Sequence, residues 1–141
     1  MNTNISSQQD IRWKQRFQNF EKAFIFLADA LKYPHPNELE EAGIVKAYEF
    51  TFELAWKTLK DYLEENAVIA KFPREVIKEA FAYHILDDGD CWMDMLNKRN
   101  LMTHTYNETN ARLALSLIRN SYFNELQKLY LKLKEASGSH E

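Results

Sequence analysis

Residues 10–31 read DIRWKQRFQNFEKAFIFLADAL, and their apolar positions are Trp13, Phe17, Phe20, Phe24, Leu27 and Leu31. The steps between them are 4, 3, 4, 3 and 4 residues. That alternation keeps one stripe on one face of an α-helix for nearly three heptads and has no counterpart in the two-residue period of a strand. The helix is expected to start near Asp10. It must stop at Tyr33-Pro34-His35-Pro36, because proline cannot continue it. Beyond the prolines, Asn37 suits an N-cap with Glu40 three positions on, and Glu38 lies near the positive end of the next helix. That helix repeats the seam at Val45, Tyr48, Phe52, Ala55, Leu59 and Tyr62. Two seams of similar length joined by a short link specify an antiparallel helical hairpin. The aromatics on it, Phe50, Phe52 and Trp56 included, read as core or helix–helix contact rather than as a cofactor-stacking surface.

The rest of the chain is consistent with this frame. With 141 residues, 3 Gly and 3 Pro, one domain of few, long elements is expected. Residues 1–9 read as a flexible N-terminus, 10–136 as the helical domain and 137–141 as a flexible tail. After an irregular piece ending at Phe72, Pro73 suits the first turn of a third helix carrying Val76, Ile77, Ala80, Phe81 and His84. Asp87-Asp88-Gly89-Asp90 breaks it, and Asp90 is placed to cap a fourth helix through Trp92, Met95, Leu96 and Arg99. Thr105 and Glu108 fit a capping box for a fifth helix, which runs to about Ala136 with Leu113, Leu117, Leu126, Leu129 and Leu133 among its apolar positions. No strand is expected. The fold class is all-α, an up-and-down bundle of four to five main helices.

Composition excludes several functions. The chain is 45% hydrophobic and 28% charged, as folded soluble proteins are. Its net charge of −3 gives no global field for nucleic acid or acidic lipid, so any polyanion site must be local. No apolar run approaches the roughly 20 residues that span a bilayer. The polar N-terminus does not read as a signal peptide. The single cysteine, Cys91, points to a reducing, cytoplasmic setting. Asp90 and Asp94 would raise its thiol pKa, which argues against a nucleophile. His84, Asp87, Asp88, Asp90 and Cys91 do not make a metal motif. The twelfth position of a calcium loop counted from Asp87 is Lys98, and zinc has no second Cys or His at a matching spacing. No cofactor motif is present.

One stretch groups residue types suited to phosphate chemistry: Arg99, Asn100, His104 and Tyr106. Spacing alone favours an ordinary account, with a basic residue compensating a helix dipole and a histidine at a junction. Three features shift the reading. Lys98, Arg99, His104, Arg112 and Arg119 fall in a span where acid is nearly confined to Glu108. Arginine offers a planar fork for phosphate oxygens, and histidine exchanges a proton near neutral pH. In a regular helix Arg99 and His104 stand about 140° apart. A helix ending just before Thr105 would instead leave His104 at a corner, able to turn back or to meet Arg99 of a second chain.

Arg99-Asn100-x-x-x-His104-x-Tyr106 resembles the signature of HEPN domains, in the branch associated with small "minimal" nucleotidyltransferases, once named nucleotidyltransferase substrate-binding proteins. The Phe52-Glu53-Leu54-Ala55-Trp56-Lys57 stretch, with Leu63 following, resembles the second helix of that branch, and the likeness extends from about Trp13 to Leu133. The resemblance implies a helical bundle similar to the substrate domain of aminoglycoside nucleotidyltransferases. It also implies a homodimer with the motifs facing across a cleft, and a separate nucleotidyltransferase chain as partner. In many members that pair is a toxin–antitoxin system. There the HEPN chain is a metal-independent endoribonuclease, silenced when AMP is added to the tyrosine that corresponds to Tyr106. The roles so implied are a general base for His104, phosphate stabilisation for Arg99 and orientation for Asn100. A ribonuclease toxin, a non-catalytic subunit offering nucleotide or substrate to the transferase, and a purely structural helical dimer all remain open.

Overall fold

The structure, a computed structural model, describes residues 2–138, with side chains from Asp10 onward. In chain order the helices are α1 (Asn2–Ala30), α2 (Glu38–Glu65), α3 (Pro73–Ala82), α4 (Gly89–Asn97), α5 (Arg99–Thr103), α6 (Glu108–Leu117) and α7 (Phe123–Ala136). A π-helical turn, Ile118–Tyr122, joins the last two. No strand occurs among the described residues. The all-α bundle is therefore as the seams dictate. No helix of the described residues is long and apolar enough to cross a membrane.

α1 reaches back to Asn2, ahead of the start expected at Asp10. Residues 2–9 contain no proline or glycine to stop it. The seam residues Trp13, Phe17, Phe20, Phe24 and Leu27 are all buried, as are Val45, Tyr48, Phe52, Ala55 and Leu59 of α2. The hairpin is antiparallel, and its register is fixed by polar rungs. Arg16 Nε donates to Asp61 Oδ2 at 2.6 Å, and Thr51 Oγ1 donates to the Ala23 carbonyl at 3.2 Å. At the link, Asn37 makes the expected capping box. Its Oδ1 accepts from the Glu40 amide at 2.8 Å, and Glu40 Oε1 accepts from the Asn37 amide at 2.9 Å. Phe50 is exposed, so the α2 aromatics are not uniformly core.

α7 closes the bundle through Tyr130, whose ring stacks on Phe24 at 4.7 Å and on Phe17 at 5.9 Å. α4 docks on α2 through Trp92, which stacks on Phe52 at 6.1 Å. The π turn packs Tyr122 on Tyr48 at 5.6 Å, and the Tyr122 hydroxyl donates to Asp94. The single fifth helix expected from Thr105 to Ala136 is thus three pieces. An extra residue in the π turn shifts the buried stripe. Ala114 and Ile118 are buried before or within it and Leu126, Leu129 and Leu133 after it, while Leu113 is half exposed.

Three boundaries also differ from the sequence reading. Asp88, not Asp90, caps α4, its Oδ1 accepting from the Cys91 amide at 3.0 Å. α4 ends at Asn97, so Arg99 opens α5 instead of closing α4. Asn107, not Thr105, caps α6, its Oδ1 accepting from the Asn110 amide at 2.8 Å, while Thr105 Oγ1 turns back to the Met102 carbonyl at 3.5 Å. His84 lies just past α3 with φ of 63°. The tail expected over 137–141 lies outside the described residues from position 139 on, and His140 with it.

At the open end of the hairpin, Asp10 pairs with Lys14 at 3.1 Å and accepts from Trp13 Nε1 at 3.3 Å. Glu65 shares this corner. Burial, then a hydrogen bond with Asp10, raises its carboxyl to about 7, while hydrogen bonds from Lys14 and Glu65 hold Asp10 below its ordinary value. A carboxyl whose folded value exceeds the unfolded one favours the folded state most where both are protonated. The Glu65 contribution is therefore full below about 4.5 and is lost as pH rises through about 7. Asp10 has the opposite sign, but its window lies below the usual aspartate range. Thermal melts are expected to show stability falling as pH rises from about 4.5 to about 7, and Glu65→Gln is expected to flatten the fall. An unchanged slope in Glu65→Gln contradicts this origin.

Candidate functional site

α5 is one short turn wedged between α4 and α6, and it carries the Arg99 group. Arg99 opens it with its side chain about half exposed, and Arg99 Nη1 lies 3.6 Å from Glu53 Oε2 of α2. Glu53 is itself steadied by Trp56, whose Nε1 donates to Glu53 Oε1 at 3.1 Å. The Phe52–Lys57 stretch thus stands across from α5. A groove of about 400 Å³ separates them, with Tyr48, Glu49, Phe52 and Glu53 on the α2 side and Arg99, Asn100, Met102 and Thr103 on the other. A second cleft, of about 380 Å³, lies beyond the ridge that Arg99 and Asn100 form, and its far side includes Phe72 and Arg74.

His104 is the residue that ends α5, at the corner the sequence indicated. Its amide donates to the Asn100 carbonyl at 3.1 Å, and its own carbonyl accepts from Asn110 Nδ2 at 2.8 Å. The corner is therefore tied to both neighbouring helices through backbone atoms, leaving the imidazole exposed. The imidazole meets the Tyr106 ring edge-on at 5.8 Å and 87°. Tyr106 is 84% exposed, the most accessible of the described aromatic side chains. Within one chain Arg99 and Asn100 share the groove, and His104 and Tyr106 share the corner. His104 lines neither of the two clefts that Arg99 lines.

The local basic field expected from Lys98, Arg99, His104, Arg112 and Arg119 is largely neutralised. Lys98 Nζ donates to Asp94 at 2.8 Å, and Arg112 pairs with Glu108. Arg119 donates to the carbonyls of Leu31 at 2.6 Å and Tyr33 at 2.8 Å, which satisfies the C-terminal end of α1. Only the Arg99 partner is distant in sequence, Glu53 of α2, while Asp94 and Glu108 each lie four residues from the cation they meet. Sequence reading missed Glu53 as the Arg99 partner, and it missed Arg74, whose Nη2 donates to Asn97 Oδ1 at 3.2 Å. The only signal for either was position in a stretch already assigned, to an aromatic helix for Glu53 and to a helix start for Arg74.

The other nucleophile candidate is inert. Burial, then Asp88, Glu125 and Asp94, push the Cys91 thiol up to about 11, so it stays protonated at neutral pH. The acids near it have structural duties. Asp88 caps α4, and Asp87 binds Lys132 Nζ at 2.5 Å. Among the described residues no group of three or more His, Cys, Asp or Glu side chains is arranged to hold a metal ion.

Comparison with known proteins adds to this geometry. The family model described as nucleotidyltransferase substrate binding protein like matches residues 15–135. A probable ribonuclease HepT of Haemophilus influenzae (strain ATCC 51907 / DSM 11121 / KW20 / Rd) is 28% identical over 75 residues, which is 50% of this chain and 51% of the relative. The match thus spans about half the length of that curated relative. A crystal structure from Thermus thermophilus superposes with a TM-score of 0.74 at 29% identity, covering 82% of this chain and 98% of the other. A Haemophilus influenzae structure, described as revealing the fold of a substrate binding domain of a nucleotidyltransferase, superposes with a TM-score of 0.65. It is 21% identical and covers 89% of this chain and 98% of its own.

Proposed function

The chain belongs to the nucleotidyltransferase substrate binding protein like family, and from that premise we propose that it pairs with a separate small nucleotidyltransferase and is a metal-independent endoribonuclease that the partner silences. The observation that carries this reading is the α5 corner. Arg99 and Asn100 open that short helix and His104 and Tyr106 lie at and just past its end, all four exposed, with the His104 ring edge-on to Tyr106. The similarity to a probable ribonuclease supports it.

In the proposed reaction His104 removes the proton of a ribose 2′-hydroxyl. The 2′-oxygen bonds to the adjacent phosphorus and the bond from phosphorus to the 5′-oxygen breaks. The imidazolium returns its proton to that leaving oxygen, giving a cyclic phosphate and a 5′-hydroxyl end. Arg99 steadies the charge that builds on the phosphate oxygens, and Asn100 orients the group. Because Arg99 and His104 line different surfaces of one chain, the active pairing is between two copies, as a homodimer. Silencing is transfer of AMP from ATP to the Tyr106 oxygen, with pyrophosphate leaving. The added anion stands beside His104 and blocks RNA by occupation and repulsion.

A second reading has its own support. Glu53 beside Arg99 and Glu49 in the same groove weaken attraction for a polyanion, which suits a non-catalytic subunit that offers a nucleotide or acceptor to the transferase. Expressing the chain alone and together with its nucleotidyltransferase partner separates the two. Growth arrest only without the partner is expected. Absence of arrest in both cases, with the complex intact, selects the binding subunit.

A further inference from the structure

The cleft beyond the Arg99 ridge differs in charge from the others. Among five clefts on the surface of the described residues, it alone has no carboxylate in its wall, in a chain of net charge −3. It holds two arginines, Arg74 and Arg99, and two amides, Asn97 and Asn100. Of the six arginines in the chain, Arg74 is the one whose side-chain partner is neutral. Arg12, Arg16, Arg99 and Arg112 face carboxylates, and Arg119 is spent on the backbone carbonyls that end α1. Asn97 therefore aims the Arg74 fork without cancelling its charge.

The same cleft presents a flat apolar face. Phe72 is 66% exposed although it directly precedes a helix. It makes no cap hydrogen bond for α3, so the first turn of that helix has no side-chain acceptor from its cap. An exposed aromatic beside one uncancelled arginine, a second arginine and amide donors is the combination by which single-stranded nucleic acid is held. Bases stack on the ring, and cations and amides follow the phosphates, with little regard to sequence. At about 380 Å³ the cleft is of ligand size.

We infer that the Phe72–Arg74 cleft is the strand subsite of the ribonuclease, where single-stranded RNA stacks one base on Phe72 and sets its phosphate on Arg74, next to the phosphate at Arg99. The inference rests on the reading that RNA is the substrate. It makes Arg99 and Asn100 the ridge over which the strand passes from the stacking cleft to the α2 groove, and it supplies the missing local positive field.

The test is binding of the full chain to a short fluorescein-labelled oligouridine whose 2′-hydroxyls are methylated, so that it cannot be cut, read by fluorescence anisotropy across a salt series. Phe72→Ala is expected to weaken binding about tenfold, and Phe72→Trp to keep it. Arg74→Ala is expected to reduce the salt slope by about 0.7, one phosphate contact on a single strand. Phe72 and Arg74 are exposed enough that both variants should melt like the parent. Equal affinities for Phe72→Ala and Phe72→Trp, while Arg99→Ala still weakens binding, overturn this subsite and leave the RNA reading standing. Absence of binding by the unaltered chain overturns the RNA reading and the subsite together.

Discussion

His104→Ala is expected to lower RNA cleavage by about two to four orders of magnitude, the usual yield of a positioned general base, without moving the melting temperature. The two halves of that expectation have separate grounds. The imidazole is exposed, and among the described residues its ring contact is with Tyr106. The bonds that hold the corner together use backbone atoms, the amide to Asn100 and the carbonyl from Asn110, and alanine keeps both. Stability therefore has little to lose, while the proposed proton acceptor is gone. Cleavage is read with a quenched fluorescent RNA on purified protein, and folding by circular dichroism. Tyr106→Phe serves as the comparison, since it keeps the ring against His104 and removes the oxygen that would accept AMP. It is expected to cleave normally and to resist silencing by the partner. Undiminished cleavage by a folded His104→Ala chain ends the proposed mechanism.

How much of this was legible in the chain depends on the range of the interactions involved. The α1–α2 hairpin was legible because its causes are local. A heptad stripe, two prolines and an Asn37–Glu40 box each act within a few residues, and the structure contains all of them. The π turn was not legible, because its accommodation depends on Tyr122 meeting Tyr48 and Asp94 from two other helices. The charge balance failed for the same reason at Arg99, whereas at Lys98 the partner is local and lies just outside the basic span. Lys98 and Arg99 look uncompensated along the sequence, yet Asp94 sits one turn back and Glu53 comes from α2. The corner at His104 was legible as a helix end, although the cap proved to be Asn107. The Phe72–Arg74 cleft could not be read at all, since it exists only because the start of α3 lies beside the end of α4, where Asn97 reaches Arg74. Local signals gave the frame and the corner, and tertiary contacts decided which cations remain available.

Trp92→Ala is expected to be the most destabilising single change near the site, at about 3–5 kcal/mol. Trp92 is fully buried, and its ring stacks on Phe52, the residue that also walls the Arg99 groove. Truncation leaves a cavity between α2 and α4, and α4 is the element that delivers Arg99 to the ridge. One feature of the native state moderates the loss. Trp92 Nε1 is buried without a hydrogen-bond partner among the described residues, and an unmet buried donor costs about 1–3 kcal/mol. Trp92→Phe removes that donor and keeps most of the stacking area, so it is expected to cost far less than alanine, about 1 kcal/mol or below. Phe50→Ala, at an exposed position of α2, is expected to stay within about 0.5 kcal/mol. Urea unfolding of the three variants provides the ranking. If Trp92→Ala costs no more than Phe50→Ala, α4 is not anchored through this ring, and the ridge that holds Arg99 must be fixed from the α6 side instead.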